Sequence, residues 1–140
     1  MKDYAVHYLE YWCQDIPLIQ PVSLDVILDR LEVYGLHVFP VKGAGNGLMA
    51  YFRPMSLDKY QRGEKDLAPE GISVTALVDG APAPVLQVNP VQEVCPDSKM
   101  AAYLIQIQTP SGAPSWSKCE LRIQDSEGHC GAAAIFHSPL

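Results

Sequence analysis

The sequence predicts an α+β fold: two N-terminal helices packed on a curved, mainly antiparallel sheet or half-open barrel of about six to seven strands. Two patterns and one compositional fact predict it. Apolar side chains recur every three to four residues up to Tyr34, the period of a helix. From Leu36 onward they alternate, the period of a strand. Twelve prolines and ten glycines in 140 residues demand many connections, which favours short strands over long helices. This length fits one domain, 1–140, able to bury a core without cross-links.

The elements follow in order. Tyr4, Tyr8, Tyr11, Leu9, Trp12 and Ile16 share helical spacing, so residues 3–14 read as a first helix, closed by Pro17 and Pro21. Ser23 suits an N-cap with Asp25 in the first turn. Leu24, Ile27, Leu28, Leu31 and Tyr34 make one stripe over 24–34, and Gly35 falls where a left-handed C-terminal cap belongs. Strands are then expected at 36–42 and 48–54. The polar stretch 55–70 carries seven charged side chains and reads as loop, with Ser56 placed to cap a single helical turn. Further strands are expected at 72–78, 84–90, 100–109, 116–124 and 129–137. Asp79-Gly80 marks a tight turn, and Pro82 and Pro84 put the start of 84–90 at a sheet edge. Short connections make neighbouring strands antiparallel.

Between the first two strands lies VKGAGNGL (41–48). A phosphate cradle needs strand, glycine turn and then helix, so that the helix N-terminus faces the anion. Gly43, Gly45 and Gly47 are spaced GxGxG, no GK[ST] follows, and LMAYFRP is a poor helix that meets Pro54. The glycines therefore serve a hairpin, with Asn46-Gly47 as the turn pair.

Net charge is −6, and only Lys99, Lys118 and Arg122 of the ten basic residues lie beyond residue 70. Such scatter excludes a phosphate-backbone footprint, so nucleic acid and anionic membrane are not expected partners. No stretch approaches the ~18 apolar residues of a membrane span. Asp3, His7 and Glu10 interrupt any export-signal core, so Cys13, Cys95, Cys119 and Cys130 are expected as reduced thiols in a cytoplasmic protein.

Chemistry is harder to find. On one strand, His129 and His137 would stand roughly 26 Å apart, too far to share an ion, and Cys130 has the opposite parity. With DSEG (125–128) as a four-residue loop, Cys130 pairs with Ile123 and Cys119 with Ala134, beyond disulfide reach. Cys119, Leu121 and Ile123 are then expected to face inward together with Cys130, Ala132, Ala134 and Phe136. No G-x-S-x-G is present. Asp25, Asp29 and Glu32 lie on the polar side of the second helix, where solvent leaves carboxylates unsuited to acid–base work. No catalytic residue, metal ligand or cofactor is assigned.

The expected function is a small non-enzymatic protein-binding module of inhibitor, immunity or accessory type. Tyr4, Tyr8, Tyr11 and Trp12 would supply anchors, because Tyr and Trp suit surfaces with one apolar and one wet side. Asp25, Asp29 and Glu32 would steer a basic protein surface, or the partner would be a second copy in a homodimer. The alternative, from a different class, is a small-molecule-binding domain with an apolar pocket for an apolar or cationic ligand, lined by Trp116, Tyr103, His137 and Tyr51. A cysteine-dependent enzyme using Cys130 or Cys95 with a histidine ranks below both.

Overall fold

The computed structural model describes residues 11–16, 28–40, 47–95, 98–109 and 116–137. Nine strands and one five-residue helix fall among them: β1 (Trp12–Gln14), β2 (Leu31–Pro40), β3 (Gly47–Ser56), α1 (Leu57–Gln61), β4 (Ser73–Val78), β5 (Ala81–Ala83), β6 (Val85–Cys95), β7 (Ser98–Gln108), β8 (Lys118–Gln124) and β9 (Cys130–Phe136). They form a five-stranded sheet, β1-β9-β8-β4-β5, and a four-stranded sheet, β2-β3-β7-β6.

The expected α+β class is thereby overturned: the described fold is nearly all β. Of the first predicted helix, residues 12–14 are strand β1, running parallel to β9 with Trp12 opposite Ala133; residues 3–10 lie outside the described residues. Of the second, residues 24–27 also lie outside them, and Leu31–Tyr34 open β2. The cause is an ambiguity of period. Leu31 and Val33 are buried while Tyr34 is exposed, so the same residues that fit a helical stripe also alternate. β-branched and aromatic side chains from Val33 to Phe39 then favour the strand. Gly35 does adopt positive φ, +66°, but to form a bulge and not a cap. Tyr34 pairs with Arg53 and His37 with Tyr51, leaving two residues of β2 against one of β3.

Elsewhere the expected connections hold in part: Asp79-Gly80 turns β4 into the short, unexpected β5, and the strand expected at 84–90 to follow that turn is β6 of the other sheet. β2–β3, β4–β5, β6–β7 and β8–β9 are antiparallel neighbours in sequence order. Residues 41–46, with Asn46 of the expected turn pair, lie outside the described residues, and Gly47 is already strand; Pro40 faces Leu48 and the segment after the glycines is strand β3, where a phosphate cradle needs a helix. Asp79 and Gly80 both have positive φ, 52° and 82°, the signature of a type I′ turn. Ser56 caps α1 by accepting from the Lys59 amide at 3.4 Å. β6, as expected for its prolines, is a sheet edge.

One core lies between the sheets. Val33, Leu36, Leu48, Ala50, Phe52, Ile105 and Ile107 from one sheet meet Ala76, Cys119, Leu121, Ala133 and Ile135 from the other. At the corner where β2 crosses β9 the approach is closest. A Cβ on Gly131 would stand 2.5 Å from the Leu31 carbonyl oxygen, so this position tolerates no side chain. Cys130 donates its amide to Asp29 Oδ2 at 2.8 Å beside it. Two further bonds bridge the edges of the sheets: Trp12 Nε1 donates to Glu32 Oε1 at 2.6 Å and Gln14 Nε2 to the Leu36 carbonyl at 3.2 Å.

The C-terminal hairpin corrects another expectation. Ile123 pairs with Gly131 and Cys119 with Ile135, one residue away from the predicted register. Asp125 and His129 close a three-residue loop in which Gly128 takes φ +89°. Asp125 Oδ1 accepts the Glu127 and His129 amides, each at 2.9 Å, which holds the loop at that length. A slip of one residue exchanges the faces of a strand. Gly131, Ala133 and Ile135 therefore face the core, and Cys130, Ala132, Ala134 and Phe136 face away from it.

Candidate functional site

The outward face of β2 and β3 is built by simple alternation. Leu31, Val33, Leu36 and Val38 turn inward, and Glu32, Tyr34, His37 and Phe39 turn outward. On β3, Leu48, Ala50, Phe52 and Pro54 are buried while Met49, Tyr51, Arg53 and Met55 are half-buried on the other side. Register sets Tyr34 beside Arg53, His37 beside Tyr51 and Phe39 beside Met49. The Arg53 guanidinium lies 5.9 Å from the Tyr51 ring centroid, a cation–π distance. Trp12 meets Tyr34 edge-to-face, centroids 5.4 Å apart at 81°. Tyr34 and Phe39 remain 38% and 42% exposed, two rings on the same outward face.

The sequence-assigned partner residues divide. Tyr4, Tyr8 and Asp25 lie outside the described residues. Tyr11 is half-buried and precedes β1, and Trp12 packs partly against the core. Asp29 and Glu32 are not a bare acidic face. Asp29 accepts the Cys130 amide and Glu32 the Trp12 indole, so both carboxylates also hold the fold together.

The sequence-assigned ligand residues do not converge. Tyr103 stacks on Phe52 at 5.8 Å and 21°, within the core layer. Trp116 is buried, with its ring 4.8 Å from exposed His137, so these two of the four are in contact. Tyr51 belongs to the outward face of the other sheet.

Two thiols, Cys119 and Cys13, are in settings that favour the protonated form. Burial pushes Cys119 up to about 12, with Asp79 and Glu120 adding to the effect. Cys13 is raised as well, by burial first, against the lowering influence of Lys118. The Cys130 thiol donates to the Gly128 carbonyl at 3.6 Å. A nucleophilic cysteine needs an environment opposite to those of Cys119 and Cys13.

A polar cleft of about 150 Å³ opens between α1 and the β8–β9 turn, lined by Asp58, Arg62, Glu70, Asp125 and Glu127 among others. Asp58 stands in the first turn of α1, where Arg30 donates to its Oδ1 from Nε at 2.8 Å and from Nη2. That hydrogen bond holds the Asp58 carboxyl below the usual carboxylate range. At the rim, His129 Nδ1 is 3.2 Å from Asp125 Oδ2, 3.7 Å from Asp58 Oδ2 and 3.7 Å from Glu127 Oε2. Among the described residues, Asp58, Glu127 and His129 are a group of ionisable side chains close enough to share a metal ion. Along its own strand His129 has no partner for an ion, since His137 is roughly 26 Å away by strand rise. The available signal was the spacing Asp125, Glu127, His129 across a tight turn; Asp58 is distant in sequence and only the fold brings it there.

Among the described residues, no helix is long and apolar enough to cross a membrane. No known protein family and no curated protein matches the chain.

Proposed function

We propose that this chain is a small β-sandwich binding module that engages a protein partner through the outward face of β2 and β3. The observation that supports it is the pair of exposed rings, Tyr34 and Phe39, set among Tyr51, Arg53, His37 and Met49 on one face of the sheet. Tyrosine, phenylalanine, arginine and methionine are enriched where proteins meet, and the two rings offer large area with few rotors to immobilise. The reading keeps the aromatic part of the sequence expectation and moves its centre from the N-terminal segment to the sheet. Net charge of −6 favours encounter with a basic partner. Trp116 and Tyr103 are engaged in packing, which weighs against the alternative of an apolar ligand pocket around them. The protonated state of Cys119 and Cys13 weighs against thiol catalysis.

A photo-reactive phenylalanine analogue placed at Phe39 tests the proposal, with the same analogue at Tyr60, exposed on α1, as control. Cross-linking in lysate of the native host should give one discrete adduct from position 39 and none from position 60. Tyr34→Ser with Phe39→Ser should abolish capture of that species while the far-UV spectrum stays unchanged. Equal adducts from both positions, or capture that survives the double substitution, refute the assignment.

A further inference from the structure

We propose that Asp58, Glu127 and His129, with Asp125 beside the imidazole, form a binding site for one divalent transition-metal ion of the zinc class, joining α1 to the β8–β9 turn. The site is separate from the aromatic face and does not depend on its role. Its first support is geometric. Ligands bonded at ~2.0–2.1 Å around a tetrahedral ion are separated by roughly 3.3–3.4 Å. The three carboxylate oxygens stand 3.2, 3.7 and 3.7 Å from His129 Nδ1, close to such edges. The ligand atoms of Asp58, Glu127 and His129 all lie within 4.8 Å of one another, so modest inward movement would complete the set. Glu127, the most exposed at 73%, has room to make it.

The second support is a mismatch of donors and acceptors. A ring nitrogen carries at most one hydrogen and serves one oxygen well. Three carboxylates converge on this one, against a single guanidinium bonded directly to the group, that of Arg30. Arg62, also at the cleft, bonds to Glu64 at 2.7 Å and reaches Asp58 and Glu127 only through longer-range charge. A divalent cation answers three oxygens at once where a proton answers one.

The third support is how the ligands are held. Asp125 is fixed by two amides through Oδ1, which leaves Oδ2 towards the imidazole. Arg30 grips Asp58 by Oδ1, which leaves its Oδ2 for the same point. Outer contacts that orient one oxygen of a carboxylate while the other binds are the usual companions of metal ligands. One imidazole with carboxylates suits zinc, cobalt or manganese, whereas calcium and magnesium prefer all-oxygen shells.

Zinc chloride titrated calorimetrically into the chelator-stripped full chain tests the site. One ion per chain is expected. His129→Gln and Glu127→Gln should each weaken binding by roughly tenfold or more, and His137→Gln should leave it unchanged. Cobalt added to the wild-type chain should give visible d–d bands that zinc abolishes, a readout that needs no variant to fold. The proposal is overturned by the absence of saturable zinc binding, by zinc affinity unaltered in both variants, or by calcium binding as tightly as zinc.

Discussion

Replacing Gly131 by alanine adds one methyl group where β9 passes under β2. The new Cβ would stand 2.5 Å from the Leu31 carbonyl oxygen, 2.7 Å from its carbonyl carbon and 2.9 Å from its Cβ. Two of these atoms are backbone, so no rotamer change relieves the clash and the strands must separate. Overpacking of a core position costs about 1–3 kcal/mol. Here the displacement also loads the neighbouring Cys130 amide bond to the Asp29 carboxylate, and bonds to charged groups contribute about 1.5–3 kcal/mol. A loss of about 3–4 kcal/mol is expected, a large share of the roughly 5–15 kcal/mol that holds a domain folded. Urea unfolding followed by tryptophan fluorescence measures it. Gly63→Ala is the comparison: Gly63 has φ +74° with nothing within 4 Å, so it reports backbone strain without a clash, about 1 kcal/mol. If Gly131→Ala loses no more than Gly63→Ala, the close crossing of β2 over β9 is wrong.

Trp12→Phe keeps a ring against Tyr34 but removes the indole donor to Glu32; a loss of about 1–2 kcal/mol in thermal unfolding is expected, and an unchanged midpoint would show that the bond is absent. Native Cys119, its thiol pushed up to about 12, should resist DTNB at pH 8 and react only on unfolding, so fast native labelling of that residue would contradict its burial. Asp58 has a folded pKa below its unfolded value, so its contribution to stability is present above pH ~4 and is lost as pH falls through the folded value. Asp58→Asn should therefore flatten the acid limb of a stability–pH curve, and identical limbs in the two proteins would remove Arg30 as the cause. Asp79 Oδ1 accepts the Ser117 and Lys118 amides at 2.8 and 2.9 Å while its φ is 52°. Asp79→Asn, which tolerates that φ, should cost less than Asp79→Ala by about 1 kcal/mol in the same unfolding assay.

Much of the strand half of the fold was legible, because alternation and turn chemistry agree there. Leu121 and Ile123 with Arg122 between them, or Asp79-Gly80 ahead of Ala81, leave few alternatives. The stretch around Leu31 was not legible, since Leu28, Leu31 and Tyr34 satisfy a helical stripe while Leu31 and Val33 satisfy a strand. What decides between them is a partner, β3, that only the whole fold supplies. Gly35 carried a true signal, the need for positive φ, but helix caps and strand bulges share that need. The C-terminal hairpin turned on a single residue. DSEG as a four-residue loop puts Asp125 inside the turn, yet its side chain binds two amides of the turn and its backbone pairs with His129. That shift reversed the faces of β9. The group around His129 was hidden for a related reason: three of its members are near in sequence, but Asp58 comes from α1.

The pairing of β1 with β9 has a kinetic consequence. About 120 residues separate Trp12 from Ala133, and closing that loop costs ~3 kcal/mol more entropy than closing a five-residue hairpin. β1 therefore docks late, after the four hairpins have formed, and until it does the rim of β9 is open to any extended segment. The β1 of another molecule fits that rim as well as its own, so concentrated refolding should yield strand-exchanged dimers.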